Sequence, residues 1–348
     1  VGILYMIGST ITIFAFLFIS RILRELGNYQ LTVGLAIAEV FVLIGMALGN
    51  DLRIIIPLFI AHHAIVPLLL FNLDVFIESF IGKKEEHTGG KRGLLLTVMS
   101  IAGAIAPLGA GFLIGDGEPR FYLAFFAGDA VMLPFLYLIF KNFKDFKDPR
   151  YTEVEIFGAL RHFWTHKDLR FVFLAHFLLQ LFFAWMVIYT PLYLATEIGF
   201  GWNEIGLILF FGLMAYVFLE YPIGQVADLY IGEKEMMALG FLIIVVTTSW
   251  LSFITTAALV PWMVTMFLTR VGASLVETTT ESYFFKHTVG SDANVISFFR
   301  ITRPLAYVMG ALLGSFVLLY VEFSMLFFVL GICLIPGIFF ALMIKDTK

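Results

Sequence analysis

Long apolar runs, each about the length of a bilayer-crossing helix, recur along almost the whole chain, and this recurrence limits the fold more than any other feature. A hydrocarbon core of roughly 30 Å needs about 20 helical residues. Cutting the chain wherever charges and turn residues interrupt such runs gives eleven segments: 1–20, 28–48, 53–81, 93–114, 120–140, 171–195, 203–222, 236–256, 261–285, 293–319 and 322–344. Barrel strands would alternate polar and apolar residues over about ten positions, whereas residues 241–250 are nearly continuously apolar, so the segments are read as helices. The expected fold class is an all-α polytopic membrane protein. Composition agrees: 60% of residues are hydrophobic and 14% charged, against about 25% charged in soluble domains. That balance excludes disordered, fibrous and nucleic-acid-binding classes. The single Cys333 lies in an apolar run and supports no disulfide framework.

Basic residues orient the segments. The loops 21–27, 82–92, 141–170, 223–235 and 286–292, with the tail from 345, hold 17 of the 22 Lys and Arg. The positive-inside bias makes this set cytoplasmic, so the expected location is the cytoplasmic membrane with the C-terminus inside. A repeat divides the chain. At an offset of 203, Asp74, Glu78, Ser79 and Phe80 meet Glu277, Glu281, Ser282 and Tyr283, while Pro107 and Gly111 meet Gly310 and Gly314. The reading is an N-terminal bundle over 1–140, a cytoplasmic linker over 141–170 and a C-terminal bundle over 171–348. In the linker, Ile156, Phe157, Leu160, Phe163 and Trp164 share one helical face and suit a helix lying on the bilayer surface. Segment 171–195 has no partner at this offset, and the chain opens on Val1, so a further helix is expected before it.

Two short motifs add a resemblance. Gly224, Ala227 and Asp228, followed by Gly232 and Lys234, form a pattern similar to the loop signature of the major facilitator superfamily, with one extra residue between Asp228 and Gly232 and with Glu233 where a basic residue is usual. Gly103, Pro107 and Gly111 resemble that family's fifth-helix signature, which is associated with proton-driven antiporters. The resemblance implies a twelve-helix secondary transporter built from two pseudo-symmetric bundles, of which this chain carries helices two to twelve. It also implies a central cavity lined by helices one, four, seven and ten. His63, Asp74, His176, Gln180 and Arg270 then become cavity candidates, and Asp228 the charged member of a conformational latch.

Ionisable groups inside spanning helices are expensive and by default mark a pathway or a paired charge. Glu277 and Arg300 fall at similar depth on consecutive helices, so Glu277 is expected to pair with Arg300, shared with Arg303. In the first half Thr97 and Ser100 occupy the places of those arginines. Asp74 therefore lacks an equivalent cation and is the first candidate for a coupling proton site. Glu39 and Asp129 are read as protonated or hydrogen-bonded structural groups, and Glu220 as a brace for the Asp228 loop or a solvated end charge. Trp185, Tyr189 and Tyr193 read as interfacial anchors or an outer gate. No ligand set suits a metal, and adjacent His62 and His63 cannot face one ion from a single helix. No phosphate-binding loop and no cofactor signature appear.

The expectation is a non-enzymatic, monomeric transporter of a small polar or anionic solute, coupled to protons and partnered by the lipid bilayer. A drug or lipid exporter of the same fold is the alternative. A membrane sensor or a histidine-dependent membrane enzyme would represent other classes.

Overall fold

The structure, a computed structural model, describes residues 2–81, 88–148, 151, 161, 164–286 and 299–345; some side chains within these, including those of Asp74 and Asp228, lie outside the described set. Among the described residues there are eleven long α-helices and no strand: α1 (Gly2–Leu26), α2 (Asn28–Leu48), α3 (Leu52–Ile81), α4 (Thr88–Ile114), α5 (Phe121–Phe143), α6 (Lys167–Tyr193), α7 (Trp202–Val226), α8 (Glu233–Leu251), α9 (Leu259–Lys286), α10 (Thr302–Val317) and α11 (Leu326–Met343). Nine carry an apolar window long enough to cross a membrane, and α4 has the shorter apolar stretch Val98–Ile114. Large apolar side chains such as Phe41 and Val131, 69% and 70% exposed, cover the outside. Water would not tolerate so continuous an apolar surface, whereas lipid covers it at no cost. The chain is a helical multi-pass membrane protein.

Helix ends follow local chemistry. Segment 236–256 was expected to run on, yet α8 stops at Leu251. Ser252 Oγ accepts the Phe328 backbone N–H of α11, and the Thr256 carbonyl accepts the Trp262 indole N–H of α9 at 2.8 Å, so the connection is held to its neighbouring helices. Beyond α6 a π-turn over Leu194–Ile198 ends at Gly199, whose φ of 83° needs no Cβ. A second π-turn, Ala227–Ile231, joins α7 to Gly232 at φ 89°. The extra residue that separates Asp228 from Gly232 is taken up there, because a π-turn holds one residue more than an α-turn. The linker face predicted from Ile156 to Phe163 lies outside the described residues, and only Trp164 of that set is described, exposed.

Packing repeats along with sequence. Shifting α1, α2, α3, α4 and α5 by 203 residues lands them on α7, α8, α9, α10 and α11. Three helix pairs of the first half, α2 with α3, α2 with α5 and α1 with α3, recur as α8 with α9, α8 with α11 and α7 with α9. The two principal contacts between halves, α1 with α10 and α4 with α7, exchange with one another under the same shift. The helix α6 has no counterpart within the sequence; it packs on α9, α10 and α11 and is the most enclosed span.

Lipid tails are as apolar as leucine, so helices associate in a membrane through close packing rather than water exclusion. Glycine makes the crossings between halves. A Cβ on Gly111 would come within 2.5 Å of the Trp202 carbonyl oxygen, and one on Gly206 within 2.5 Å of the Pro107 carbonyl oxygen. At the matching crossing of α1 with α10, a Cβ on Gly2 would meet Ser315 Oγ at 2.9 Å and the Ala311 carbonyl at 3.5 Å. Gly103, by contrast, faces open space. Gly310 and Gly314 leave room for the α6 aromatics: Trp185 donates its indole N–H to the Gly310 carbonyl at 2.7 Å, and Tyr189 packs over Gly314. Trp185, Tyr189 and Tyr193 are consequently buried within the second half rather than anchored at the lipid interface.

Candidate functional site

The basic loops define one end of the bundle, and α1, α3, α7 and α9 all run toward it, whereas α6 and α10 run away from it. A cavity of about 970 Å³ lies on the seam between the halves and extends from Tyr5, Val187 and Tyr307 to Glu220 and Glu281 toward that end. Its walls come from α1, α3, α6, α7, α9 and α10 together with the residues just before Thr302.

The deep end is aromatic and hydrogen-bonding. On α1, Tyr5, Ser9, Thr12 and Phe16 follow one helical stripe. Ser9 Oγ is hydrogen-bonded to His63 Nε2 at 2.9 Å, and the Tyr5 ring meets His63 edge-on at 4.7 Å. Gly8 allows this approach, since a Cβ there would touch the His63 ring at 2.8 Å. Tyr307 of α10 closes the group from the other half, 5.7 Å from His63. One turn beyond, Pro67 lacks the N–H that would bond the His63 carbonyl, leaving that oxygen without its helical donor. Opposite stands His176 on α6, against the Phe299 ring at 4.2 Å, with Gln180 Nε2 and Thr280 Oγ1 at 3.3 and 3.4 Å from its nitrogens. Gln180 Oε1 is buried without a partner among the described residues.

The shallow end is ionic. Glu277, Thr278, Glu281 and Ser282 come from α9, Glu220, Tyr221, Gly224 and Gln225 from α7, and Arg300 and Arg303 face them. Ser100 of α4 donates to Glu220 Oε2 at 3.0 Å, so Glu220 ties α7 to the first half. Ser282 donates at 3.0 Å to Glu233, a fully buried carboxylate in the first turn of α8, where the helix N-terminus favours negative charge.

At the opposite end the halves meet and shut the seam. Asp116, in the α4–α5 connection, accepts the Asn203 backbone N–H at 3.0 Å and its side-chain N–H at 2.6 Å, beside the Gly111 and Gly206 crossing.

Of the residues singled out from sequence, His63, His176, Gln180, Glu277, Arg300, Arg303 and Gly224 share this cavity. Glu277 and Arg300 line it together. Arg270 does not line it: it shares the α9 face of Glu277 but lies two turns farther in, buried beneath the Phe182 ring of α6 at 5.2 Å and bonded to Thr269 Oγ1. Asp74 lies on α3 and Asp228 on the second π-turn, with their side chains outside the described residues. Gly232 supplies the positive-φ turn, while Pro107 and Gly111 sit at the α4–α7 crossing and Gly103 does not. Sequence reasoning missed Tyr5, Ser9 and Tyr307. The polar and aromatic spacing on α1 carried that signal within an otherwise apolar run.

A second arrangement lies outside the membrane spans. Asp148 in the linker accepts the Asn28 backbone N–H at 2.8 Å, capping α2, and also accepts the Tyr151 hydroxyl. Burial, together with that hydrogen bond and the Asp148 charge, pushes the Tyr151 phenol well above the usual tyrosine range.

Comparison with protein-family models finds no match for the chain, and comparison with curated proteins finds none either.

Proposed function

We propose that the chain is a secondary transporter of major facilitator type that moves a small polar or anionic solute between two alternating openings of the central cavity. The observation that carries this reading is the cavity on the seam of two sequence-related halves, lined by Glu277, Glu281, Arg300 and Arg303 and closed at the opposite end by the Asp116–Asn203 contact. The exchange of the α1–α10 and α4–α7 contacts under the repeat supports a rocking of one half against the other. Fixed guanidinium groups offset the desolvation of an anionic group, and Arg300 and Arg303 take the role that Arg270 was expected to fill. On the positive-inside bias, the open side is cytoplasmic and the bilayer is the cytoplasmic membrane. Proton coupling through Asp74 or the Glu277 group fits a cavity with both carboxylates and imidazoles.

The test is a thermal-shift screen of the full chain with small carboxylates, phosphates and amino acids at two pH values, followed by counterflow of any stabilising solute in proteoliposomes. Arg300→Gln is expected to weaken binding by about 10- to 100-fold, the loss of one charge-assisted hydrogen bond. Full counterflow in both Arg300→Gln and Glu277→Gln would remove the ionic cavity from the mechanism.

A further inference from the structure

Behind the cavity wall, Glu39 on α2 neighbours two other ionisable side chains of the first half, His62 on α3 and Asp129 on α5. Glu39 and Asp129 are 2% and 8% exposed, and α2 packs against both other helices. His62 Nδ1 is hydrogen-bonded to Glu39 Oε1, and Glu39 is the charged neighbour of Asp129. Glu39 Oε2 and both Asp129 carboxyl oxygens are buried and meet no hydrogen-bond partner among the described residues. Neither carboxyl forms an ion pair with a Lys or Arg among those residues.

One imidazole beside two carboxylates leaves a negative charge uncompensated even when the imidazole is protonated. A bare carboxylate among apolar side chains is the costliest form such a site can take. A bound proton removes that charge and turns an orphaned acceptor into a donor. His62 also lines the cavity, so its ring stands between the open seam and the enclosed acids. Among the described residues, the groups that face this set include His63 on the same helix, with Tyr5 and Ser9 of α1 against it, and Arg300 and Arg303 across the cavity.

We infer that Glu39, His62 and Asp129 form a proton-binding site, filled from the cavity through the His62 ring and separate from the ionic walls that face the solute. The transfer balances without a co-reactant. Nε2 takes a proton from the cavity as Nδ1 releases one to Glu39 Oε1, the ring exchanges tautomers, and the two carboxyls share the proton gained. That this proton drives transport rests on the transporter reading; that it is bound does not.

Infrared difference spectroscopy on the full chain in lipid, stepped through pH, reads the protonated-carboxyl stretch directly. The wild type is expected to show this band at neutral pH. Asp129→Asn, which keeps the shape of the neutral acid, should abolish or diminish it without lowering the unfolding temperature, and His62→Gln should slow its response to a pH step. Absence of the band in the wild type, or a band unchanged in both Asp129→Asn and Glu39→Gln, overturns the site. Unfolding of Asp129→Asn also overturns it, because the structure would then require the ionised acid. A failed solute screen with the band intact defeats the transporter reading alone; counterflow with no band defeats the proton site alone.

Discussion

Single glycines divide sharply by what a methyl group would meet. Gly111 faces the Trp202 carbonyl at the α4–α7 crossing, whereas Gly103, two turns earlier on the same helix, has open space. Gly111→Ala is therefore expected to cost about 1–3 kcal/mol through forced separation of the helices, and Gly103→Ala to gain about 0.5–1 kcal/mol from restricted backbone freedom. Thermal unfolding of the two variants in one detergent checks both signs. Arg270 tests a different distinction. Its guanidinium lies over Phe182 and outside the cavity lining, so Arg270→Lys should lose about 1–2 kcal/mol of stability as a flat, weakly hydrated cation is replaced by a compact one. Solute affinity should remain at the wild-type value, and binding measured beside unfolding separates the two effects. Depth was legible for Arg270 from its distance along the helix. That Phe182 covers it was not, because the middle of α6 is apolar apart from His176 and Gln180, and these do not say which of its phenylalanines meets α9.

At the scale of elements, hydropathy and loop charge were enough to find the helices, since a span announces itself by length. Their ends were less legible: α8 stops early where Ser252 bonds the start of α11 and Thr256 bonds Trp262 of α9, and nothing in a hydropathy profile encodes that. Nor did the first-half loop reveal its carboxylate. Asp148 reaches the start of α2 from 120 residues away in sequence, a distance that no local motif spans. Asp148→Ala should cost about 1 kcal/mol as the loss of a helix cap. The partner Tyr151 gives the clasp a pH dependence. A phenol raised in the folded state contributes stability fully present below the ordinary tyrosine value, about 10, and lost as pH rises through the raised one. Limited proteolysis of the linker should thus accelerate at strongly alkaline pH in the wild type, and Tyr151→Phe should show no such alkaline step.

For the whole molecule, Asp116 and Asn203 join the halves at the end away from the basic loops, and opening there requires Asp116 to release Asn203. Cysteines at these two positions, in a chain carrying Cys333→Ala, should be joined by a short cross-linker and reduce counterflow at least tenfold, with recovery on cleavage of the link. Undiminished counterflow in the cross-linked protein would show that this end never parts. The recurrence of helix pairs follows the offset of 203 residues read from a handful of matched positions, but the cavity floor was not legible, since Tyr5 and Tyr307 are far apart in sequence and meet only in three dimensions.

Where Gly111 passes Gly206, main chain rests nearly on main chain. Interlocked side chains would have to disengage before one helix could roll over another. A smooth surface of this kind leaves only the neighbouring Asp116–Asn203 contact to disengage, so on the transporter reading this crossing would turn as a bearing once that contact parts.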